Sequence, residues 1–499
     1  MTLQFVIGKA SVDHQASLLA ELAKAQQVHP DDQFYYLVPN HIKFESEVQV
    51  LTRLAQLAGV ENGAYAQSGV QVLSLTRLAW FFMKNAPAYQ LPRISQAGMN
   101  MLVYQAILDH QDELRLFAGE ADRPGFISLL TRQILELKTG QVSVLDLDQV
   151  AKKLTGTSAD LDAKLHDLVL IYGSFEQAMT NKYVANTDLL NQLSTYLEKV
   201  DLSHAHFYFD GFSQTQFSAQ EMKLLTTLMS QAAEVKVALI LDQGTPTADA
   251  INEQSLFFQP SRTYMRLYQT ARALSVPVLR DIKATTTRTT PELQQLETYW
   301  QSTATGVTAT QTEDLQQADH IQIIQADNRY AEVARVATMI RQLVAEKGYR
   351  YRDFLILTRH LDQYATILAP IMNAQEIPYF SDVQQSMADH PLVELINALF
   401  EIKRKHFQYA DIMRLLKTEL LVPKTADDHE MNIDTFRDAL FKTENWVLKM
   451  GYQGSRWLQK EDWPYARLHS DDLGTVTSAD QATSEQINGI RRFVRDTLV

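Results

Sequence analysis

The 499-residue sequence contains no cysteine, which excludes disulfides, thiolate zinc sites and cysteine-ligated iron–sulfur clusters from it. It also lacks any apolar run that approaches the roughly 18 residues of a membrane span. Its first residues lack the charged and apolar regions of a secretory signal. These absences predict a cytoplasmic protein that does not contact a membrane.

Positive charge is in the minority. The chain has 46 lysines and arginines against 59 aspartates and glutamates, a formal net charge of −13. A basic coat that binds nucleic acid indiscriminately is therefore excluded, whereas a local basic groove is not, because phosphate affinity depends on local charge. With 45% hydrophobic and 21% charged residues, the chain has the composition of a folded globular protein, and its length predicts about three domains.

The first 290 residues alternate between strand and helix patterns. Helical periodicity is present at residues 16–22 and 42–57 and dominates from about 92 to 200. Short apolar runs of strand type occur at residues 3–7, 33–39, 70–74, 206–210 and 235–240. This order predicts an α/β fold with a parallel sheet in two sequence segments, 1–90 and 200–290, and a helical insertion at 91–199.

The second half starts a new domain. A polar stretch rich in threonine and glutamine ends at residue 317, and residues 291–317 are predicted to be a linker. Strands at 320–325 and 354–358 around a helix at 330–347 predict a β-α-β unit within a domain at 318–390. Residues 391–499 are mostly helical.

The last helical pattern, at 485–499, has an apolar face and no capping residue after it. We therefore expect the sequence to be a fragment of a longer protein, and the alternative is a terminal helix that docks on the core.

The loop after the first strand resembles a nucleotide-binding P-loop, G-x-x-x-x-G-K-[ST], with altered residues. Gly8 holds the first position and Lys9 follows it, but Asp13, His14 and Gln15 replace the second glycine, the lysine and the hydroxyl residue. A working loop needs bare backbone N–H groups, a fixed cation on the phosphates and an oxygen on Mg²⁺. The sequence therefore predicts that this loop does not support ATP hydrolysis. Taken alone, the same residues also suit an ordinary turn between a strand and a helix.

Eight short segments in order along the whole chain resemble the second, nuclease-bearing component of the bacterial AddAB/RexAB helicase–nucleases, known as AddB or RexB, and most closely the RexB form. They are YLVP at 36–39, SLTRLAW at 74–80, KLHDL at 164–168, FDGF at 209–212, EKGYRYRD at 346–353, IPYF at 377–380, HPLV at 390–393 and LKTELL at 416–421.

The resemblance implies a superfamily 1 helicase-like architecture that has lost helicase activity. The two parallel-sheet regions would be the first RecA-like domain (1–90 and 200–290) and the start of the second (318–390). The helical segments would be insertions, the second of them, 391–499, truncated. A C-terminal nuclease domain that uses Mg²⁺ would lie outside this chain.

The implied function is that of one component of a heterodimer that repairs double-strand breaks. The partner would be the AddA/RexA protein, which supplies ATP hydrolysis. The substrates would be double-stranded and single-stranded DNA, and the full AddB/RexB protein would carry a 5′→3′ exonuclease. The helicase-like part would scan the single strand for the short regulatory sequence Chi.

The second acidic motif of superfamily 1 helicases is Asp-Glu, in which the Asp holds Mg²⁺ and the Glu orients the attacking water. Here the strand ends in Asp210-Gly211, so the catalytic carboxylate is missing. Asp210 either retains some metal binding or caps the turn after the strand.

Carried over by position, the resemblance implies DNA contacts in three short segments. Arg77 would pair with a guanine edge or a phosphate, and aromatic side chains would stack on unpaired bases. The candidates are His41, Ile42, Lys43, Leu75, Arg77, Trp80 and Phe212.

The alternatives for these residues are structural. Trp80 lies in an apolar run typical of a core, Arg77 suits an ion pair on a helix face, and Phe212 suits a gap in the packing. For the whole chain, the alternatives are an active P-loop nucleotide kinase and a helical interaction scaffold without a DNA role. No histidine has metal-ligand spacing with a third group, so no metal is assigned to these residues.

Overall fold

The computed structural model describes residues 1–40, 43–60, 65, 67–154, 156, 158–185, 188–212, 217–304, 320–382, 387–425, 429–465 and 477–498. These residues divide into two units, 1–323 and 324–499.

The first unit is built on a six-stranded parallel sheet. Its strands are β1 (Leu3–Gly8), β2 (Gln33–Leu37), β3 (Val70–Leu73), β4 (Ala205–Phe209), β5 (Glu234–Ile240) and β6 (Ile282–Lys283). The spatial order is β3-β2-β4-β5-β1-β6. Five strands lie where the sequence predicts them. The two-residue β6 is too short for any apolar pattern, and it is placed by its pairing with β1.

Both faces of the sheet are buried, as is usual for parallel sheets. Along β1, Phe5 and Val6 belong to separate hydrophobic clusters on opposite faces, and both side chains are fully buried. The helices of the sheet region are α1 (His14–Val28), α2 (Lys43–Leu57), α3 (Leu75–Met83), α8 (Leu189–Leu197), α9 (Ala219–Gln231), α10 (Phe258–Ala273) and α11 (Pro291–Ala304). The α/β class with a RecA-like sheet and helical insertions is thus confirmed.

Four helices between β3 and β4 form a separate hydrophobic core. They are α4 (Gln96–Asp109), α5 (Pro124–Thr139), α6 (Val144–Leu154) and α7 (Ala159–Met179). The buried carboxylate of Asp167 accepts hydrogen bonds from the backbone N–H groups of Arg115, Leu116 and Phe117 at 2.7–3.1 Å. It thereby holds the loop after α4 against α7. The following α8 lies within the predicted range of the insertion but packs on the core of the sheet.

The second unit is helical in its described residues. Its helices are α12 (Arg329–Lys347), α13 (Asp362–Ala374), α14 (Pro391–Arg404), α15 (Tyr409–Lys417), α16 (Ile433–Met450) and α17 (Ser478–Leu498). Short 3-10 helices occur in the two units at Pro87–Gln90, Ala248–Ala250, Tyr351–Asp353 and Gly454–Leu458. One core joins α14 to α17, and a smaller one joins α12 and α13.

Two predicted elements differ. Residues 321–325 and 354–358 pair with no strand among the described residues, so the predicted β-α-β unit is not formed there. A strand needs a hydrogen-bonded neighbour, which an apolar pattern cannot supply, and Leu355 and Leu357 are 80% and 83% exposed. The predicted linker at 291–317 begins with the helix α11, whose many glutamines and threonines concealed its periodicity.

A charge network closes the amino-terminal edge of the sheet. The His206 ring on β4 lies 3.0 Å from Asp32 Oδ2 and 3.5 Å from Glu234 Oε2. Burial disfavours the charged ring, but the hydrogen bonds and charges of Glu234 and Asp32 outweigh it and raise the pKa of His206. The hydrogen bond from His206 lowers the pKa of Asp32. The ion pairs therefore exist between the protonation of the carboxylates and the deprotonation of His206.

Replacing this histidine by His206→Gln should destabilise the protein in a pH-dependent way. A raised histidine pKa stabilises the fold below the ordinary value and loses that effect as the pH rises through the folded value. The gap to wild type should thus be largest near about pH 5–6, at about 1–3 kcal/mol, and narrow above about pH 8. Urea denaturation across this range measures it. His204→Gln is the control, because that ring contacts the same Asp32 but is 81% exposed. A gap that stays constant from pH 5 to 9 would contradict the charged pair.

Candidate nucleotide loop and nucleic-acid interface

The loop that follows β1 is tightly packed. A Cβ atom on Gly8 would lie 2.5 Å from the Val12 side chain, so only glycine fits there. The buried His14 ring lies with Nε2 3.0 Å from the Gly8 carbonyl, to which its N–H donates. Burial lowers the pKa of His14, so at neutral pH the ring is uncharged. The residue at the lysine position of a P-loop therefore supplies no cation.

Asp13 caps the helix that a P-loop would offer to phosphate. Its carboxylate accepts a hydrogen bond from the Ala16 N–H at 2.9 Å and one from Arg53 Nη1 at 2.8 Å. Burial acts to raise the pKa of Asp13, but these bonds and the Arg53 charge outweigh it and lower the value. An ionised side chain thus occupies the positive end of α1, where a bound phosphate would lie.

The remaining loop positions have other partners. The Gln15 side chain hydrogen-bonds to Tyr36 on β2. Lys9 is half-buried, and its carbonyl accepts from the Val12 N–H at 3.2 Å. The hydroxyl position of a P-loop is therefore used to bind the protein's own core.

Asp210 lies at the end of β4, two strands from β1. Its carboxylate accepts a 2.7 Å hydrogen bond from the buried Tyr36 hydroxyl. Burial and the nearby Asp210 charge raise the pKa of Tyr36 well above its ordinary value. Gly211 has a φ of 82°, a left-handed conformation that disfavours the glutamate of a working motor.

The helix α3 leaves the carboxyl end of β3, the edge strand. The Ser74 side chain caps its first turn, and Leu75 is buried beneath it. Trp80 is 49% exposed, so the core alternative for this residue is wrong. Arg77 is exposed as well, and it forms no ion pair with a residue that the structure describes. Lys84 Nζ lies 5.3 Å from the centre of the Trp80 ring.

The other DNA candidates are placed differently. Phe212 is 5% exposed and stacks on Phe217 with ring centres 5.5 Å apart, which matches the packing alternative. Lys43 is the first residue of α2, and its side chain lies outside the described residues, as do His41 and Ile42.

The predicted residues thus form two groups at the carboxyl edge of the sheet. One group surrounds the loop after β1 and the end of β4. The other lies on α3, four strand spacings from β1 in the sheet order, or roughly 19 Å. Two contributors were missed. Lys84 is detectable as the i+4 neighbour of Trp80 on a helix, whereas Arg53 gives no local signal, because its partner Asp13 is 40 residues away.

A family model described as "ADDB, N-terminal" matches residues 5–297, more than half of the chain. The chain belongs to this family. The resemblance seen in the sequence is thereby confirmed.

Similar curated proteins are named as the second, or B, component of an ATP-dependent helicase/deoxyribonuclease. They include proteins from Levilactobacillus brevis at 54% identity, Latilactobacillus sakei at 47% and Lactiplantibacillus plantarum at 46%, each aligned over 100% of this chain and 41% of the relative. The chain spans about two-fifths of the length of these AddB-family relatives.

Two further properties concern the described residues alone. No three of their histidine, aspartate and glutamate side chains are grouped so that they could hold a metal ion. None of their helices combines the length and apolarity needed to cross a lipid bilayer.

If Asp210 serves the core and not Mg²⁺, Asp210→Ala should lower stability by about 1–3 kcal/mol, because the buried Tyr36 hydroxyl loses its acceptor. In a Tyr36→Phe background the same change should cost less. Thermal denaturation with and without MgCl₂ measures both effects. Asp242→Ala is the control, since Asp242 is exposed just beyond β5. A melting temperature that rises with Mg²⁺ in wild type but not in Asp210→Ala would show a metal site instead.

Proposed function

We propose that this chain is the helicase-like part of the AddB/RexB component of an ATP-dependent helicase–deoxyribonuclease. In this proposal it has no ATPase activity, binds the single strand that a motor protein delivers, and reads the regulatory sequence Chi on that strand. Family membership and the names of the relatives support the assignment to this component. The geometry of the two groups at the sheet edge supports the division of labour.

The loss of ATP chemistry follows from charge. Catalysis of phosphoryl transfer rests on positioning and on cations around the γ-phosphate. Here His14 is neutral and the carboxylate of Asp13 occupies the helix N-terminus. A triphosphate would meet like charge at the point where it needs a cation. Gly211 also removes the group that would orient the attacking water.

The observation that carries DNA binding is the exposed face of α3. Arg77, Trp80 and Lys84 are spaced i, i+3 and i+7, so they lie on one side of the helix. We call these three residues the α3 patch. An indole half in solvent between two cations matches single-strand binding, in which aromatic rings stack on bases and cations contact phosphates. Such a patch is compatible with a net charge of −13, because only the local field acts on the strand.

Base reading would come from Arg77 and its neighbours. A guanidinium pairs bidentately with a guanine edge, which discriminates bases as stacking does not. The Thr76 hydroxyl donates to Asn40 Oδ1 at 2.6 Å and joins the loop after β2 to α3. Candidates 41–43 follow directly in sequence, so one surface formed by the ends of β2 and β3 would contact successive nucleotides.

The partners and the cutting reaction follow from the relatives' names. A protein named as one lettered component of an enzyme implies at least one other, and we propose that an AddA/RexA-type motor hydrolyses the ATP. The deoxyribonuclease would reside in sequence that the longer relatives have in addition, with Mg²⁺ as its cofactor and 5′→3′ cleavage. The whole assembly would act in double-strand-break repair.

Substitutions in the α3 patch should weaken binding of single-stranded DNA. Trp80→Ala should reduce affinity roughly 5- to 100-fold through lost stacking. Arg77→Ala should reduce it and lower the slope of log K against log salt by about 1. Fluorescence anisotropy with labelled single strands over a salt series measures both.

The matched controls are Trp300→Ala and Arg272→Ala, since both residues are exposed but lie on α11 and α10. Equal losses in patch and control variants would indicate nonspecific attraction. No binding by wild type at low salt would leave the scaffold alternative.

Wild-type protein should show no saturable binding of a fluorescent ATP analogue below about 1 mM and no phosphate release above background. The physical reason is the missing cation at His14. Equilibrium titration and a coupled phosphate assay test this. Saturable micromolar binding that His14→Ala abolishes would instead support an active P-loop enzyme.

A further inference from the structure

The segment after β6 runs along the loop that follows β1. The Ala284 N–H donates to the Ile7 carbonyl at 2.9 Å, and the Asp13 N–H donates to the Thr286 carbonyl at 2.8 Å. Arg288 adds a hydrogen bond from its backbone N–H to the Ser11 carbonyl and one from Nε to the Ala10 carbonyl, both at 2.9 Å. The loop is therefore covered by a chain segment about 275 residues later in the sequence.

This segment leads into α11, which places a carboxylate on the loop. Glu297 Oε1 accepts from the Ala10 N–H at 2.6 Å, and Oε2 accepts from the Ser11 N–H at 3.3 Å. Two successive backbone N–H groups directed at one anion form a nest, the device by which P-loops bind phosphate. The Glu297 side chain is half-buried, and the contact spans 287 residues of sequence.

We propose that Glu297 is the resident anion of this loop, an intramolecular carboxylate that occupies the nest and excludes external phosphate. The proposal rests on the proposed loss of ATP chemistry and identifies what replaced the nucleotide. Asp13 at the N-terminus of α1 and Glu297 in the nest together fill two anion positions. The loop has thereby become a clasp that fastens α11 to the sheet region of the first unit.

The clasp makes a defined prediction for anions of the phosphate class. In wild type the nest is filled, and an added phosphate would meet two carboxylates. Removal of Glu297 leaves the two N–H groups without their acceptor, while β1, α1 and the covering segment remain. A small phosphate anion should then bind the loop, but it cannot restore the attachment of α11.

Hydrogen exchange of the 499-residue chain, without nucleotide or DNA, tests this in wild type, Glu297→Ala and Glu297→Gln. In Glu297→Ala, exchange should rise roughly tenfold or more in peptides covering residues 8–13 and 291–304, because charge-assisted hydrogen bonds are lost. Glu297→Gln keeps an acceptor without the charge and should lie in between. Glu253→Gln removes one exposed carboxylate elsewhere and should match wild type.

Inorganic pyrophosphate at millimolar concentration is the second arm. It should restore protection to residues 8–13 of Glu297→Ala, leave 291–304 unprotected, and change neither peptide in wild type. Exchange in Glu297→Ala equal to that in wild type would overturn the proposal. So would pyrophosphate protection of the loop in wild type, or none in Glu297→Ala. If Glu297→Ala does not fold, the same comparisons are made on Glu297→Gln with a threefold criterion.

The two proposals fail separately. ATP binding by wild type would contradict the silent loop, whereas exchange in the absence of ligand reports only on Glu297. Unchanged DNA affinity in Glu297→Gln is expected, because the α3 patch lies at the far edge of the sheet.

Discussion

Buried backbone N–H groups must find acceptors, and the structure around the loop after β1 depends on this requirement. In a nucleotide-binding protein, phosphate oxygens meet much of it. Here carboxylates of the chain do so: Asp13 accepts from Ala16, and Glu297 accepts from Ala10 and Ser11. Arg53 balances the charge of Asp13, and Tyr36 fills the space between Gln15 and Asp210. A loop that has given up phosphate binding thus remains ordered because its donors were given other partners.

The sheet explains why the other group of residues is separate. In an open parallel sheet, loops at the carboxyl ends of the strands form the binding edge, and each loop can change without disturbing the others. The loop after β1 lost its cation, while α3 after β3 kept exposed aromatic and basic side chains. The strands between them carry almost only buried residues, so the scaffold held its geometry through both changes. This is how one edge can retain strand binding after fuel binding is gone.

Much of the fold was predictable, because its strands are short apolar runs buried on both faces. The five strands 3–7, 33–39, 70–74, 206–210 and 235–240 were found this way, and so was the helical character of the insertion. The runs at 321–325 and 354–358 have the same composition, yet form no strands among the described residues. Apolar pattern measures readiness to pair, while pairing needs a neighbour. The polar helix α11 was missed for the opposite reason, since little of it is buried.

The sequence by itself determined the family, the α/β class and the replaced positions Asp13, His14 and Gly211, because residue identity and order carry that information. Only the tertiary structure decided which candidates are exposed and what fills the loop. Trp80 and Phe212 are both aromatic residues in apolar surroundings, and three-dimensional packing alone puts one in solvent and the other in the core. Glu297 contacts Ala10 across 287 residues, and no local pattern can encode a contact that chain folding creates.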